Sequence, residues 1–340
     1  MREERVVAQQ PVQAETELEA TLRPRSLGEF IGQPLLQERL RVSIEAAAKM
    51  SIPMGHVLFS GPPGLGKTSM AGVIAQELGA NMRRSSGPAL DRPGDLASIL
   101  SGLERGDIFF VDELHRLSRI VEEVLYPAME DFALDIVVGR GAGAATYRLN
   151  LQPFTLVGAT TRLGMISSPL RDRFQIIERF DYYTPEELRQ LVVRSAGILG
   201  VEITGAGAEI VAARSRGTAR VANRLLARVR DYAIARSDGS VTGEVARRAL
   251  AMLEVDELGL DKVDRSILES VVHKFGGGPV GLGTLAIAVG EEPETVEEAY
   301  EPFLLQAGLL QRTPRGRIAT EGTYLHLGLT PPADPQLRLV

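Results

Sequence analysis

The stretch Gly61–Thr68 reads GPPGLGKT and fits the pattern G-x-x-x-x-G-K-[ST]. Glycines at 61, 64 and 66 let the backbone turn tightly enough for successive N–H groups to face one anion, and a following helix N-terminus adds partial positive charge. In that setting Lys67 is expected to reach the β- and γ-phosphates of a nucleoside triphosphate, and Thr68 to offer its hydroxyl to Mg2+. The expected cradle is Gly61, Gly64, Leu65, Gly66, Lys67, Thr68 and Ser69. The competing interpretation is a glycine-rich turn with a chance Lys-Thr. Phosphate binding is favoured by the apolar run His56–Ser60, expected to be a buried strand, and by the apolar-faced segment Ser69–Leu78, expected to be a helix.

A second apolar run, Asp107–Val111, ends in Asp112 and Glu113. In a parallel sheet the carboxyl ends of strands line the ligand crevice, so Asp112 is placed to hold Mg2+ through water and Glu113 to orient or deprotonate an attacking water. Two acids after a strand also serve as a plain helix cap, and only the upstream loop tips the balance. A third run, Phe154–Ala159, delivers Thr160, Thr161 and Arg162 to the same edge, where a hydroxyl either touches the γ-phosphate or merely satisfies the next turn. Pro169–Phe174, after what reads as the last sheet segment, holds Arg171, Asp172 and Arg173. It reads either as a surface ion cluster or as arginines reaching across a subunit boundary. Arg220 opens a helix, where the macrodipole disfavours a cation, and this suggests that it faces an anion.

The elements that must position these groups follow from pattern. Residues 1–20 are polar and aperiodic and read as a mobile arm. The lead-in Leu22–Gln33 mixes Pro24 and glycines with Leu27, Phe30 and Ile31, and either closes over a base or is an ordinary packed loop. Residues 21–183 read as the sheet domain. Within it, Ile136–Leu149 forms two strand-like pieces around a glycine- and alanine-rich tip, a projecting hairpin that is either a protein docking point or an internal elaboration. Thr184–Leu188 carries the N-cap, Pro and Glu of a helix start, and 184–257 reads as a helical lid with turns at 197–200, 205–207 and 237–239. Residues 258–330 read as three helices and a hairpin, the layout of a winged helix. Arg312, Arg315 and Arg317 around its tight turn could meet DNA phosphates or simply be solvated. The proline-containing tail 331–340 reads as disordered.

Composition limits the function classes. With 44% apolar and 24% charged residues the chain is a globular protein of two or three domains. The absence of cysteine excludes disulfides and thiolate metal sites and suits a reducing cytoplasm. No apolar run approaches the roughly 20 residues that cross a bilayer, and MREERVVAQQ lacks the apolar core of a signal peptide, so neither membrane insertion nor export is expected. A formal charge of -6 argues against a basic coat, although a local arginine patch still admits DNA. His56, His115, His273 and His326 have no metal-ligand spacing.

Taken in order, GPPGLGKT, FFVDELHRL, VGATTR, SPLRDRF and GTAR resemble an AAA+ ATPase. With LRPRSLGEFIGQ, YPAMEDFALDIVVG, FDYYTPEEL and GGGPVGLGT…LLQRTPRGRIAT the resemblance narrows to the RuvB family of Holliday-junction branch-migration motors, over about Leu22–Gly328. It implies an α/β fold, an AAA+ P-loop parallel-sheet domain with a helical lid and a C-terminal winged-helix domain, that hydrolyses ATP with Mg2+ to translocate duplex DNA in recombination and repair. It also implies Leu22, Arg23 and Tyr183 at the nucleotide, Thr161 and Arg220 as its sensors, Arg173 as an arginine finger, and Arg312 and Arg317 on the DNA-contacting wing. The implied partners are the duplex arms of Holliday junctions, RuvA through the hairpin, RuvC in the larger complex, and further copies in a ring, as a hexamer. The hairpin tip reads GAGAAT where the family favours a proline and a serine or arginine, and Gly283 stands where an acid is common. On the residues alone a motor with protein cargo, or a DNA-binding regulator that uses ATP only as a switch, also stays open.

Overall fold

The computed structural model describes residues 19–138 and 145–332. What the sequence suggests for an arm before Glu19, for the hairpin tip at 139–144 and for the tail at 333–340 lies outside the described residues. By its contacts the chain divides into two compact units, one of residues 19–187 with Thr218–Arg220 and one of residues 188–217 with the chain after Arg220.

Among the described residues the first unit has seven strands: β1 (Val57–Ser60), β2 (Met82–Ser86), β3 (Ile108–Asp112), β4 (Ala133–Val138), β5 (Ala145–Asn150), β6 (Thr155–Thr160) and β7 (Ile176–Arg179). Five of them form a parallel sheet in the order β2-β3-β6-β1-β7, and β4 and β5 pair separately as an antiparallel hairpin. β1 and β6 are buried along their whole length, which is why they read as unbroken apolar runs with no alternation. Register brings the functional ends together: Ser60 of β1 lies beside Thr160 of β6, and Val111 of β3 beside Gly158 of β6. His56, just before β1, is buried. Its Nδ1 accepts from Leu156 N–H at 2.9 Å and its Nε2 lies 3.0 Å from the Met129 carbonyl, so burial keeps the ring neutral and structural.

Two strands differ from expectation. β2 reads MRRSS and β7 reads IIER; as edge strands they need no apolar run, so no such run marks them. β7 also corrects the position of Pro169–Phe174, which precedes the last strand instead of following it. Glu19 and Ala20, expected in the arm, are helical and lead into the buried Leu22.

The second unit holds the helices of the lid region, including Gly205–Ala213, Ala219–Arg236 from Val221 onward, and Gly243–Met252. Gly205–Gly207, expected as a turn, is the first turn of a helix capped by Thr204, whose Oγ1 accepts from Gly207 N–H at 3.1 Å. Gly207 serves close packing: a Cβ there would sit 2.3 Å from the Val241 carbonyl oxygen. The winged-helix part contains helices Lys262–Glu269, Leu282–Val289 and Glu301–Gln306, then the antiparallel hairpin of β8 (Leu310–Thr313) and β9 (Gly316–Ala319). A further helix, Glu321–His326, follows the hairpin and is not marked by its short polar sequence. Among the described residues no helix is long and apolar enough to cross a membrane.

A buried ion pair ties this unit together. Arg216 stands at φ 53° in the turn before Gly217, its Nη2 meets the Asp264 carboxylate, its Nε donates to Gly259 O at 2.7 Å, and its guanidinium carbon lies 5.0 Å from the centre of the Phe303 ring. Arg216 and Asp264 are both buried. Removing one partner strands the other charge, so Asp264→Ala is expected to lose about 3–5 kcal/mol of stability. The double variant Arg216→Met/Asp264→Leu should recover most of that in urea unfolding, and equal losses in both would refute the pairing.

Candidate nucleotide and nucleic-acid sites

Gly61, Gly64 and Gly66 all occupy positive φ, at 132°, 79° and 99°, conformations that side-chain-bearing residues rarely adopt. Packing fixes the turn as well. A Cβ on Gly61 would lie 2.5 Å from Phe180 O, one on Gly64 3.1 Å from Arg220 Cβ, and one on Gly66 3.0 Å from the Phe30 ring. The loop ends in the helix Lys67–Glu77, which opens towards the carboxyl edge of the sheet because β1 feeds it directly. Lys67 is buried, and its ammonium donates to the carbonyls of Gly61 and Pro62, each at 2.7 Å. Burial draws its pKa down to about 8, against the opposing pull of Asp112, and the Arg220 charge lowers it further. A desolvated cation with only carbonyl partners is a strong receptor for phosphate oxygens.

Asp112 ends β3 beside this helix, with Thr68 Oγ1 at 3.4 Å from its Oδ2, while its Oδ1 accepts from Glu113 N–H at 2.9 Å. One hydroxyl and one carboxylate, completed by phosphate oxygens and water, form the donor set that Mg2+ takes at such sites, so the residues present fit that ion. Glu113 sits at φ 48°, in a turn pressed against Gly87, where a Cβ would come within 2.4 Å of Glu113 O. Its carboxylate is half exposed and paired with Arg116 at 3.3 Å, a contact weak enough to exchange.

At the end of β6 the two adjacent threonines differ. Thr160 is buried, its Oγ1 lies 3.1 Å from His115 Nδ1 and accepts from Arg162 N–H at 3.0 Å, whereas Thr161 is exposed just beyond it. Burial lowers the His115 pKa, with Glu113 opposing, so the imidazole is neutral at physiological pH. Thr160 and His115 thus hold the turn that presents Thr161. The sequence signal available for this was FFVDELH, which put His115 close to the acids.

Of the remaining expected nucleotide residues, Tyr183 and Arg220 touch the loop, as do Phe30 from the lead-in segment and Phe180 after β7. Phe30 packs edge-on to Phe180 with ring centroids 6.4 Å apart, and Tyr183, itself buried, donates from its hydroxyl to Leu65 O at 3.1 Å. Leu22 is buried, Arg23 lies close enough to Arg84 to lower its pKa further after burial has done so, and Ser69 stands half-buried in the first helical turn. Arg220 donates its backbone N–H to Gly64 O at 3.1 Å, and its Nε lies 3.3 Å from Glu19 Oε1. The anion that its helix-start position called for is therefore, here, a carboxylate of the same unit.

Arg173 does not sit with these groups. It lies against the helix Arg119–Glu130, with Nη1 donating to Pro169 O at 2.6 Å and Nη2 to Glu130 Oε2 at 3.1 Å. The wing arginines belong to the other unit. Arg315 is exposed in the turn and Arg312 pairs with Glu297 at 3.0 Å. Arg317 differs from the other two expected phosphate-facing arginines. It is buried on β9 and held in a two-point pair with Glu301 at 3.2 and 2.9 Å, because β9 packs both its faces.

Three family models match the chain in succession. The family model for the Holliday junction DNA helicase RuvB P-loop domain matches residues 22–180, that for the RuvB AAA lid domain 183–256, and that for the RuvB C-terminal winged helix domain 257–328. The Holliday junction branch migration complex subunit RuvB of Rhodococcus erythropolis is 57% identical over 333 residues, covering 98% of this chain and 91% of its own length. That of Mycobacterium sp. (strain KMS) is 58% identical over 320 residues, covering 94% and 89%. The solved structure of the Thermotoga maritima RuvB Holliday junction branch migration motor superposes with a TM-score of 0.83 at 48% identity, over 92% of this chain and all of that one.

The loop geometry makes a direct test. Gly61→Ala must strain a positive φ and press a Cβ on the Phe180 carbonyl, so fluorescent-nucleotide titration is expected to show affinity weakened about tenfold or more. Gly28→Ala, where the nearest atom is 3.9 Å away, serves as the control that leaves affinity unchanged. Equal affinities for both variants would mean that this loop does not bind the nucleotide.

Proposed function

Because this chain belongs to the RuvB family, we propose that it is an ATP-driven motor that translocates duplex DNA and, with RuvA, drives Holliday-junction branch migration in recombination and repair. The observation that carries this reading is the convergence, at the carboxyl edge of one parallel sheet, of a buried ammonium, a hydroxyl–carboxylate pair and an exchangeable second carboxylate. That set suits hydrolysis as well as binding.

In this mechanism Lys67 exchanges its two loop carbonyls for β- and γ-phosphate oxygens of ATP, and the N-terminus of its helix carries the rest of the phosphate charge. Thr68 directly and Asp112 through water would hold Mg2+, which neutralises charge on the phosphates. Glu113, released from Arg116, orients the lytic water and takes its proton, while Thr161 and Arg220 report the state of the γ-phosphate. Leu22, Arg23 and Tyr183 line the base and ribose side. Arg173 completes the site of a neighbouring copy in a ring, which we infer to be hexameric, and there stabilises charge that develops on the transferred phosphoryl group.

On the nucleic-acid side, Arg312 and Arg315 set the wing against duplex phosphates. Arg317 holds the hairpin in shape through Glu301. The β4–β5 hairpin carries exposed Tyr147 and Leu149, which suit an apolar docking site for RuvA, with RuvC joining the larger complex. A chain without cysteine suits the reducing cytoplasm in which such a complex works.

Strand exchange on a synthetic four-way junction, with and without RuvA and ATP, tests the reading as a whole. Branch migration that needs both is expected, and ATP binding without turnover would favour a switch instead of a motor. Arg173→Ala should lower kcat by about 10³-fold or more while ATP still binds, and mixing it with Lys67→Ala subunits should restore turnover at some sites. Arg312→Ala with Arg315→Ala should flatten the salt dependence of DNA binding by about one log unit per log unit of salt for each phosphate that the wing no longer meets. An unchanged slope would point to protein cargo.

A further inference from the structure

The helix Arg119–Glu130 places Glu122, Tyr126 and Glu130 one turn apart on a single face. Arg173 lies over the middle one, its guanidinium carbon 4.3 Å from the centre of the Tyr126 ring. Tyr126 is itself fixed from behind. Its hydroxyl donates to Glu122 Oε1 at 3.1 Å and lies 3.4 Å from Ser167 Oγ, and the Ser167 hydroxyl donates to the same Glu122 oxygen. Ser167 Oγ also accepts from Leu170 N–H at 3.3 Å and so caps the short turn Ser168–Arg171 that leads directly to Arg173. The serine that fixes the ring therefore fixes the backbone that carries the arginine.

We propose that Tyr126 is a positioning residue for Arg173, with Glu122 and Ser167 setting the plane of its ring; this rests on the reading of Arg173 as the group supplied to a neighbouring copy's nucleotide. A free arginine side chain spreads over many rotamers, and an aromatic face removes most of them without taking up its N–H groups. The partners of those groups are of the kind that can be given up. Pro169 O is a neutral carbonyl, and the Glu130 carboxylate is 58% exposed. Nε is buried and has no hydrogen-bond partner among the described residues. The guanidinium is thus aimed by stacking and held only loosely by hydrogen bonds, the combination needed by a group that must repeatedly meet and leave a phosphate on another molecule.

The test uses the full chain in its DNA-stimulated ATPase assay, with subunit mixing. Tyr126→Leu removes the platform, and turnover is expected to fall about tenfold, the scale of a partly desolvated cation–π contact, while fluorescent-nucleotide affinity stays within about twofold. Tyr126→Phe keeps the ring but not its hydroxyl contacts, and should bring turnover back to within about threefold of the unaltered chain. The defect should travel with the donor of Arg173. Lys67→Ala subunits, which bring an intact Tyr126–Arg173 pair, should therefore raise the turnover of a Tyr126→Leu mixture. Wild-type turnover in Tyr126→Leu overturns the proposal. So does a Tyr126→Leu mixture that is not rescued when the Arg173→Ala mixture is, because the defect then lies within its own nucleotide site. If neither mixture is rescued, the reading of Arg173 as a group acting on a neighbour fails, and the platform's role with it. Should Tyr126→Leu unfold, Ser167→Ala carries the same test, with about a threefold loss and the same pattern of rescue.

Discussion

The buried ammonium of Lys67 is the interaction on which the rest of the first unit depends. A charge with so little exposure is tolerated only where its donors are met, and the partners available are two carbonyls of its own loop. For those carbonyls to face inward the loop must pass through three positive-φ positions, and these are held by Phe180, Arg220 and Phe30 from three separate stretches of chain. The loop itself leaves β1, an interior strand of the parallel sheet with β6 on one side and β7 on the other. The cost of the buried charge is thus spread over much of the unit. It leaves an ammonium whose pKa burial has drawn down to about 8, with Asp112 opposing the shift and Arg220 adding to it.

How much of this was legible follows from what each signal depends on. The glycine loop, Asp112 and Glu113 were readable because their chemistry needs fixed residue types at fixed spacing, and because central strands of a parallel sheet are apolar throughout. β2 and β7 were hidden by the same rule, since an edge strand such as MRRSS is exposed on part of its surface. Gly205–Gly207 misled because glycine has two uses: freedom of backbone, which marks a turn, and absence of a Cβ, which here lets a helix approach Val241. Thr160 and Thr161 looked alike, and only the end of β6 between them, which leaves the first buried against His115 and the second exposed in the bend beyond, separates them.

The arginines show the deepest limit, because their types and spacings carry no trace of what surrounds their carboxylate partners. Arg317, Arg312 and Arg173 each pair with a glutamate at about 3 Å. In the first pair the side chains are 9% and 3% exposed, so turning Arg317 outward would leave Glu301 buried and uncompensated, a loss of about 3–5 kcal/mol that one phosphate contact does not return. In the second the exposures are 56% and 28%, and the pair contributes about 0–1 kcal/mol, so a phosphate displaces Glu297 at little cost. In the third the arginine is shielded at 21% but its carboxylate is open at 58%, so Glu130 returns to water when the guanidinium leaves. What decides whether an arginine can be lent to an outside anion is therefore the exposure of the acid left behind. By that measure Arg312 and Arg173 are available to phosphates, and Arg317 is committed to the wing it holds together.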